Sequence, residues 1–127
     1  MKNLEFLMGE VPEGVRGEVG EFLMGKRREF SKAVMEEAGR QEGTKFQKSV
    51  WAEIAKIPWG KTKTYQELAM AIGKPRAVRA VGTACGKNKY PPIVPCHRVL
   101  ASGGGVGGYA FGVGVKRELL AREGVVV

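Results

Sequence analysis

A capping box at Thr64-Tyr65-Gln66-Glu67, a Gly73-Lys74 break and Pro75 constrain this 127-residue chain more than any other feature. In a Thr-x-x-Glu pattern the threonine hydroxyl accepts from the backbone N–H three residues on, and the glutamate reaches back to the threonine N–H. A helix therefore opens at Thr64 and runs through Leu68 and Ala69 to Ile72. Glycine supplies the tight turn, and proline favours the first position of a following helix that reaches about Cys85. Two short helices about a glycine turn predict a helix-turn-helix.

The flanking segments read as further helices. Thr44-Lys45-Phe46-Gln47 is a second capping box, with Phe46, Val50, Trp51 and Ile54 following at helical spacing and Trp51 read as core. Pro58 stops that helix, and Trp59-Gly60-Lys61 makes a turn. Upstream, Pro12–Met24 predicts a helix with Val15, Val19, Phe22 and Leu23 on one face, and Phe30–Ala38 predicts a weaker one closing at Gly39. Downstream, Val99 and Leu100 read as extended. Ser102–Gly114 reads as a glycine-rich loop over a flat substrate or as a β-hairpin wing, and Val115–Glu123 as a helix burying Val115, Leu119 and Leu120. The expected fold is mainly α (α+β) and winged helix-turn-helix-like. Residues 1–40 form a short helical N-terminal appendage, and residues 41–127 form the main domain.

Charge is unevenly placed along the chain. Residues 1–39 carry eight Glu against six Lys/Arg, and residues 40–127 carry fifteen Lys/Arg against five Glu, within a net charge of +8. A basic excess confined to one part points to a polyanion such as nucleic acid, or to an ordinary solvated basic face. On the second helix of the pair, Ala77, Val78 and Val81 can face the core while Arg76, Arg79, Ala80 and Thr83 point outward. Small residues around one arginine suit close approach to a narrow groove with a single inserted side chain; a solvated amphipathic helix is the alternative. No apolar run approaches a membrane span, and Met1-Lys2-Asn3-Leu4-Glu5 lacks a signal peptide's apolar core. Cys85 and Cys96 make no disulfide framework, so a reduced, cytoplasmic protein is expected.

The chemistry concentrates in Val94-Pro95-Cys96-His97-Arg98-Val99, which holds the only histidine. Pro95 restricts the backbone where an extended segment ends and so presents Cys96 in a defined pose. A thiol beside an imidazole suits nucleophilic chemistry, because the thiolate is the reactive species. A buried structural cysteine beside a hydrogen-bonded histidine is the competing reading. Adjacent Cys and His fit no zinc spacing, and the glycine stretch lacks the Gly-Lys-Ser/Thr of a phosphate loop, so neither a metal nor a nucleotide is expected.

Several motifs now align in order. They are Thr64-Tyr65-Gln66-Glu67-Leu68-Ala69, the run Ile72-Gly73-Lys74-Pro75-Arg76-Ala77-Val78-Arg79-Ala80-Val81-Gly82, Asn88, and Ile93-Val94-Pro95-Cys96-His97-Arg98-Val99. Gly107-Gly108-Tyr109, Lys116 and Leu119-Leu120-Ala121-Arg122-Glu123 continue the series. Together they resemble the catalytic domain of the O6-alkylguanine-DNA alkyltransferases, also called methylated-DNA–protein-cysteine methyltransferases, from Phe46 to Glu123. Val19–Lys32 is similar to that family's interdomain stretch, so the region before it is much shortened.

The resemblance implies that 41–127 is a DNA-binding alkyltransferase catalytic domain. It would move an alkyl group from O6 of guanine in double-stranded DNA irreversibly to Cys96, once per molecule. It would work without a cofactor, as a monomer, from the minor groove, and in a prokaryote near the nucleoid. His97 would act on Cys96 through a water, Glu123 would orient His97, Tyr65 would donate to the guanine ring, and Asn88 would brace the turn beside the nucleophile. Arg79 would enter the duplex where the lesion has swung out, with Ala80 and Thr83 near the groove. Pro91, Val99, Tyr109 and Ala110 would line the pocket. Two other readings are a lesion-binding alkyltransferase-like protein, in which the cysteine is replaced, and a thiol-sensing regulator using Cys85 and Cys96.

Overall fold

The computed structural model describes residues 7–127. A 3-10 turn at Glu13–Val15 leads into α1 (Arg16–Leu23), followed by α2 (Lys32–Gly39) and α3 (Lys45–Ala55). Then come β1 (Lys63–Thr64), α4 (Tyr65–Ala71), α5 (Val78–Gly86), a 3-10 turn at Cys96–Arg98, β2 (Val99–Leu100) and α6 (Val113–Arg122). Both capping boxes form. Thr44 Oγ1 accepts from the Gln47 N–H at 3.0 Å while Gln47 Oε1 accepts from the Thr44 N–H at 2.9 Å. Thr64 and Glu67 repeat the arrangement at 3.0 and 2.9 Å.

The helix-turn-helix is α4 and α5, and its turn differs from the sequence expectation. The N–H groups of Gly73 and Lys74 reach the carbonyls of Met70 and Ala69 at 3.0 and 2.9 Å, closing a Schellman motif with Gly73 at φ +75°. Pro75 does not open α5, which begins at Val78. Instead the Ala77 N–H bonds the Lys74 carbonyl at 2.9 Å, and Pro75 takes the second place of that β-turn. Its fixed φ suits that position as well as it suits a helix start. Similarly, α2 begins at Lys32 rather than Phe30, because the Ser31 hydroxyl caps it by accepting from the Val34 N–H at 3.3 Å.

Two-residue strands do a specific job here. β1 and β2 pair in parallel, Lys63 opposite Val99 and Thr64 opposite Leu100. β1 runs directly into Tyr65, and β2 runs directly out of the Cys96–Arg98 turn. This short ladder therefore sets the start of α4 beside the Cys-His turn. Residues 101–112 form a loop and not a hairpin, tightened where the Ala101 N–H bonds the Gly105 carbonyl at 3.0 Å.

Beneath these elements α3, α4 and α5 share a core in which Val50, Ile54, Leu68, Ala69, Val81 and Ala84 are at most 2 % exposed. Each fully buried Val, Leu or Ile side chain contributes about 1.5–3 kcal/mol. Trp51 closes the seam between α3 and α5, and its indole N–H is satisfied by the Ala84 carbonyl at 2.9 Å. The N-terminal residues Leu7, Val11, Val15, Val19 and Phe22 belong to the same apolar cluster. Phe22 meets the Trp59 ring edge-on at 5.5 Å, and the Arg122 guanidinium donates to the Leu23 and Phe22 carbonyls. Among the described residues, no helix is long and apolar enough to cross a membrane.

Candidate active site

The backbone around Cys96 is fixed by its neighbour. Pro95 sits at φ −80°, ψ 64°, and the Cys96 N–H bonds the Val94 carbonyl at 2.8 Å, which is an inverse γ-turn. Proline's ring holds φ in the range this turn needs. The Cys96 sulfur, in a residue 5 % exposed, accepts from Asn88 Nδ2 at 3.3 Å. That same nitrogen donates to the Val94 carbonyl at 2.8 Å, so Asn88 spans the turn that carries Cys96.

Behind the cysteine lies a buried ionic array. His97 Nε2 is 2.7 Å from Glu123 Oε2, and both side chains are fully buried. Arg98 binds the same carboxylate through Nε at 2.8 Å and Nη2 at 3.0 Å, and donates through Nη1 to the Ile57 carbonyl at 2.7 Å. The Gly60 N–H adds a further bond to Glu123 Oε1 at 3.0 Å. Burial alone opposes ionisation of Glu123, but the donors from His97, Arg98 and Gly60 win and hold its carboxyl down at about 2. Burial in turn pulls the His97 imidazole below its ordinary value, against the upward pull of Glu123. A neutral ring facing a carboxylate must carry its proton on Nε2. The Nδ1 lone pair is then left over, and no group among the described residues bonds it. That is the protonation pattern of a general base.

A cleft of about 720 Å³ opens over this turn, lined by Tyr65, Val78, Arg79, Gly82, Thr83, Cys85, Gly86, Cys96, Gly108, Tyr109 and Ala110. Burial pushes the Cys96 thiol up, and the Asn88 donor and the Lys116 charge pull it back. Tyr65 is driven up to about 12, mainly by burial, so its phenol keeps its proton and can only donate or share it. Tyr109 is pushed well above its ordinary value, by burial first and then by the nearby Cys96 charge.

Of the residues singled out from the sequence, Cys96, Tyr65, Arg79, Thr83, Tyr109 and Ala110 meet on this cleft. Asn88, His97 and Glu123 stand behind it as a buried support. Ala80 is exposed on α5 but outside the cleft wall, and Pro91 and Val99 are buried and do not line it. Cys85 packs in α5, as read, and also reaches the cleft. Sequence reasoning gave no role to Arg98, Gln41 or Lys116. Lys116 is completely buried, donating to the Val99 carbonyl at 2.5 Å and to the Gly108 carbonyl at 3.1 Å. Its position was a signal: it shares a helix stripe with Leu119, Leu120 and Glu123, where a charge is out of place unless it is used.

Comparison with known proteins agrees with this geometry. Residues 45–125 match the family model described as the DNA-binding domain of 6-O-methylguanine DNA methyltransferase. A methylated-DNA–protein-cysteine methyltransferase of Methanosarcina barkeri is 55 % identical over 82 residues, 65 % of this chain and 52 % of that protein. The chain thus spans about half the length of such methyltransferases and about a quarter of the Ada proteins it also matches. The Mycobacterium tuberculosis OGT, solved in complex with DNA, superposes with TM-score 0.74 at 39 % identity, covering 87 % of this chain and 65 % of that one. The O6-methylguanine-DNA methyltransferase of Pyrococcus kodakaraensis gives TM-score 0.70 at 30 % identity over 98 % of this chain and 76 % of that one. A match of this extent, laid over the Cys-His-Glu arrangement, leaves one assignment: the chain belongs to the 6-O-methylguanine DNA methyltransferase family.

Proposed function

We propose that this protein repairs DNA by transferring an alkyl group from O6 of guanine to Cys96, in a single irreversible turnover. The observation that carries the reading is the buried His97, locked by an ionised Glu123 with its Nδ1 lone pair free of partners among the described residues, directly following the cysteine on the cleft floor. The Cys96 proton passes to His97 Nδ1 through a water, and the thiolate attacks the alkyl carbon. The S–C bond forms as the C–O6 bond breaks, and the electron pair goes to the purine. Tyr65 meets that charge by donating to the ring. The cysteine is left as a thioether, so the protein is spent.

Magnitudes indicate where the acceleration arises. A thiol of ordinary pKa is roughly 3 % ionised at pH 7, and lowering its pKa raises that fraction while reducing its nucleophilicity. Activation of the sulfur therefore supplies little. Alignment of sulfur and carbon in a tight cleft, together with charge relief by Tyr65, supplies more.

Double-stranded DNA is the partner we assign, approached from the minor groove by α5 with Arg79, Ala80 and Thr83. O6 lies inside the base stack, so the lesion must be extruded into the cleft. The small residues Gly82, Gly86 and Ala110 on the cleft wall support entry of a flat base. Residues 41–127 act as the catalytic unit and residues 1–40 as an appendage. The protein works as a cytoplasmic monomer, nucleoid-associated in a prokaryote, with no cofactor. Incubation with duplex DNA carrying radiolabelled O6-methylguanine, followed by peptide mapping, tests the reading. Label on the Cys96 peptide at one equivalent is expected. Tight binding without label indicates a non-catalytic lesion binder, oxidation-dependent DNA binding indicates a thiol-sensing regulator, and turnover beyond one equivalent excludes the suicide mechanism.

A further inference from the structure

Gln41 precedes α3 and lies outside the residues matched by the family model. It is nevertheless buried, 6 % exposed, and its amide is used at both ends. Its Oε1 accepts from the Lys89 N–H at 3.1 Å, and its Nε2 donates to Asn88 Oδ1 at 3.0 Å. Asn88 Oδ1 also accepts from the Tyr90 N–H at 3.0 Å, and Nδ2 donates to the Cys96 sulfur and to the Val94 carbonyl. The bonds therefore run in one direction, from the Lys89 backbone through Gln41 and Asn88 to the sulfur. The N-terminal region holds the same segment separately, where the Tyr90 hydroxyl donates to Glu37 Oε2 of α2 at 3.2 Å.

We propose that Gln41 is a positioning residue for the Cys96 nucleophile, acting through Asn88, so that part of the active site is built by chain outside residues 45–125 that the family model matches. The proposal rests on the reading of Cys96 as the alkyl acceptor. Its physical basis is polarisation. An amide oxygen that accepts a second hydrogen bond leaves its own N–H a stronger donor, by about 10–30 % per bond in a chain. A stronger donor to sulfur favours the thiolate over the thiol. The Tyr90 N–H by itself keeps Asn88 in the right orientation, so loss of Gln41 weakens the donor without reversing it.

Two variants separate this role from plain packing. Gln41→Met keeps the size and removes both hydrogen bonds. Gln41→Glu keeps the acceptor for Lys89 but sets a carboxylate against Asn88 Oδ1. The readout is the pH dependence of Cys96 carbamidomethylation by iodoacetamide, localised by peptide mass. Alongside it, single-turnover alkyl transfer from an O6-methylguanine duplex is followed at pH 7. The midpoint is expected to rise by roughly 0.3–0.5 pH unit in Gln41→Met and further in Gln41→Glu. Transfer at pH 7 should fall about 1.5- to twofold in the first, because the smaller thiolate fraction is partly offset by a more nucleophilic sulfur. A packing role alone slows the reaction equally at every pH. An unchanged midpoint in either folded variant overturns the proposal. Loss of the fold in both also overturns it, since Gln41 then serves folding and not the sulfur. Wild-type protein that reacts with iodoacetamide at Cys96 but takes no methyl group from DNA refutes the proposed function instead.

Discussion

Lys116 and Tyr65 converge on one backbone acceptor: the ammonium donates to the Gly108 carbonyl at 3.1 Å, the phenol donates to it at 3.4 Å, and the ammonium stands 5.8 Å from the phenol ring centroid. No carboxylate bonds Lys116 among the described residues, and its second acceptor is the Val99 carbonyl at the exit of the Cys-His turn. This buried ammonium thus ties Tyr65 to the strand that follows the Cys-His turn, and its charge favours the Cys96 thiolate.

Replacing it gives the first prediction. Burial brings Lys116 down to about 8, below its ordinary 10.5. Below about 8 the ammonium is charged and supports the thiolate, so Lys116→Met slows iodoacetamide modification of Cys96 at pH 7. Above about 8 the wild-type lysine is neutral as well, and the two rate profiles should converge. Folding disfavours this ammonium, so wild-type stability should gain, relative to Lys116→Met, as pH rises from about 8 to 10.5. Urea midpoints of the two proteins at pH 8 and pH 10 check the sign. Parallel rate profiles across pH 6–10 contradict the counter-ion role.

A second prediction concerns Glu123, which Arg98 grips with two nitrogens. Glu123→Gln leaves a buried guanidinium without its carboxylate and should cost about 3–5 kcal/mol at pH 7. The Glu123 carboxyl is depressed from 4.5 to about 2, so its contribution is fully present above 4.5 and is lost as pH falls through 2. The stability gap between wild type and variant should therefore shrink between pH 4.5 and pH 2. Chemical denaturation at pH 7 and pH 3 measures it, and a gap independent of pH argues against an ionised Glu123.

These two residues show how much of the site was legible in the chain. The capping boxes at Thr44 and Thr64 and the turn at Gly73 are local, and local chemistry fixed the helices that follow them. Pro75 misled because its φ serves a β-turn and a helix start equally well, and only the Ala77–Lys74 bond distinguishes them. Cys96 and His97 stood out by adjacency. The partners that tune them come from far along the chain: Glu123 is 26 residues from His97, and Gln41 is 47 from Asn88. Nothing in either local sequence announces such a pairing, although Lys116 and Glu123 at i and i+7 on an apolar stripe hinted at it. Pro91 and Val99 were placed on the pocket by the family resemblance, whereas both are buried in this chain and β2 turns Val99 into the core.

The glycine-rich loop yields a third prediction. At Gly107 a Cβ would lie 3.0 Å from Tyr65 Cε2 and 3.1 Å from its hydroxyl, and φ is +74°. Gly107→Ala therefore carries a left-handed backbone cost of roughly 1–2 kcal/mol and pushes the phenol off its position. Alkyl transfer from methylated duplex should slow by about tenfold or more, the size expected when a transition-state donor is misplaced. The iodoacetamide profile of Cys96 should stay where it was, because the sulfur's own partners are untouched. A matching loss in both assays assigns the damage to the thiol and not to Tyr65.

Arg79 is the last test, and it addresses DNA and not chemistry. Its side chain is exposed on α5 at the cleft rim and makes no hydrogen bond or ion pair among the described residues. Such a residue contributes little to folding, so Arg79→Ala should move stability by less than about 0.5 kcal/mol. Extruding a guanine from the stack costs a few kcal/mol, and a side chain that fills the gap recovers part of that. Losing about 1.4 kcal/mol of the recovery slows reaction with duplex tenfold. The free base O6-benzylguanine needs no extrusion, so its rate with Arg79→Ala should remain within about twofold of wild type. Single-turnover rates on the two substrates, followed by mass gain at Cys96, decide the matter. Equal losses on both remove Arg79 from the role of wedge and return it to the solvated face of an ordinary amphipathic helix.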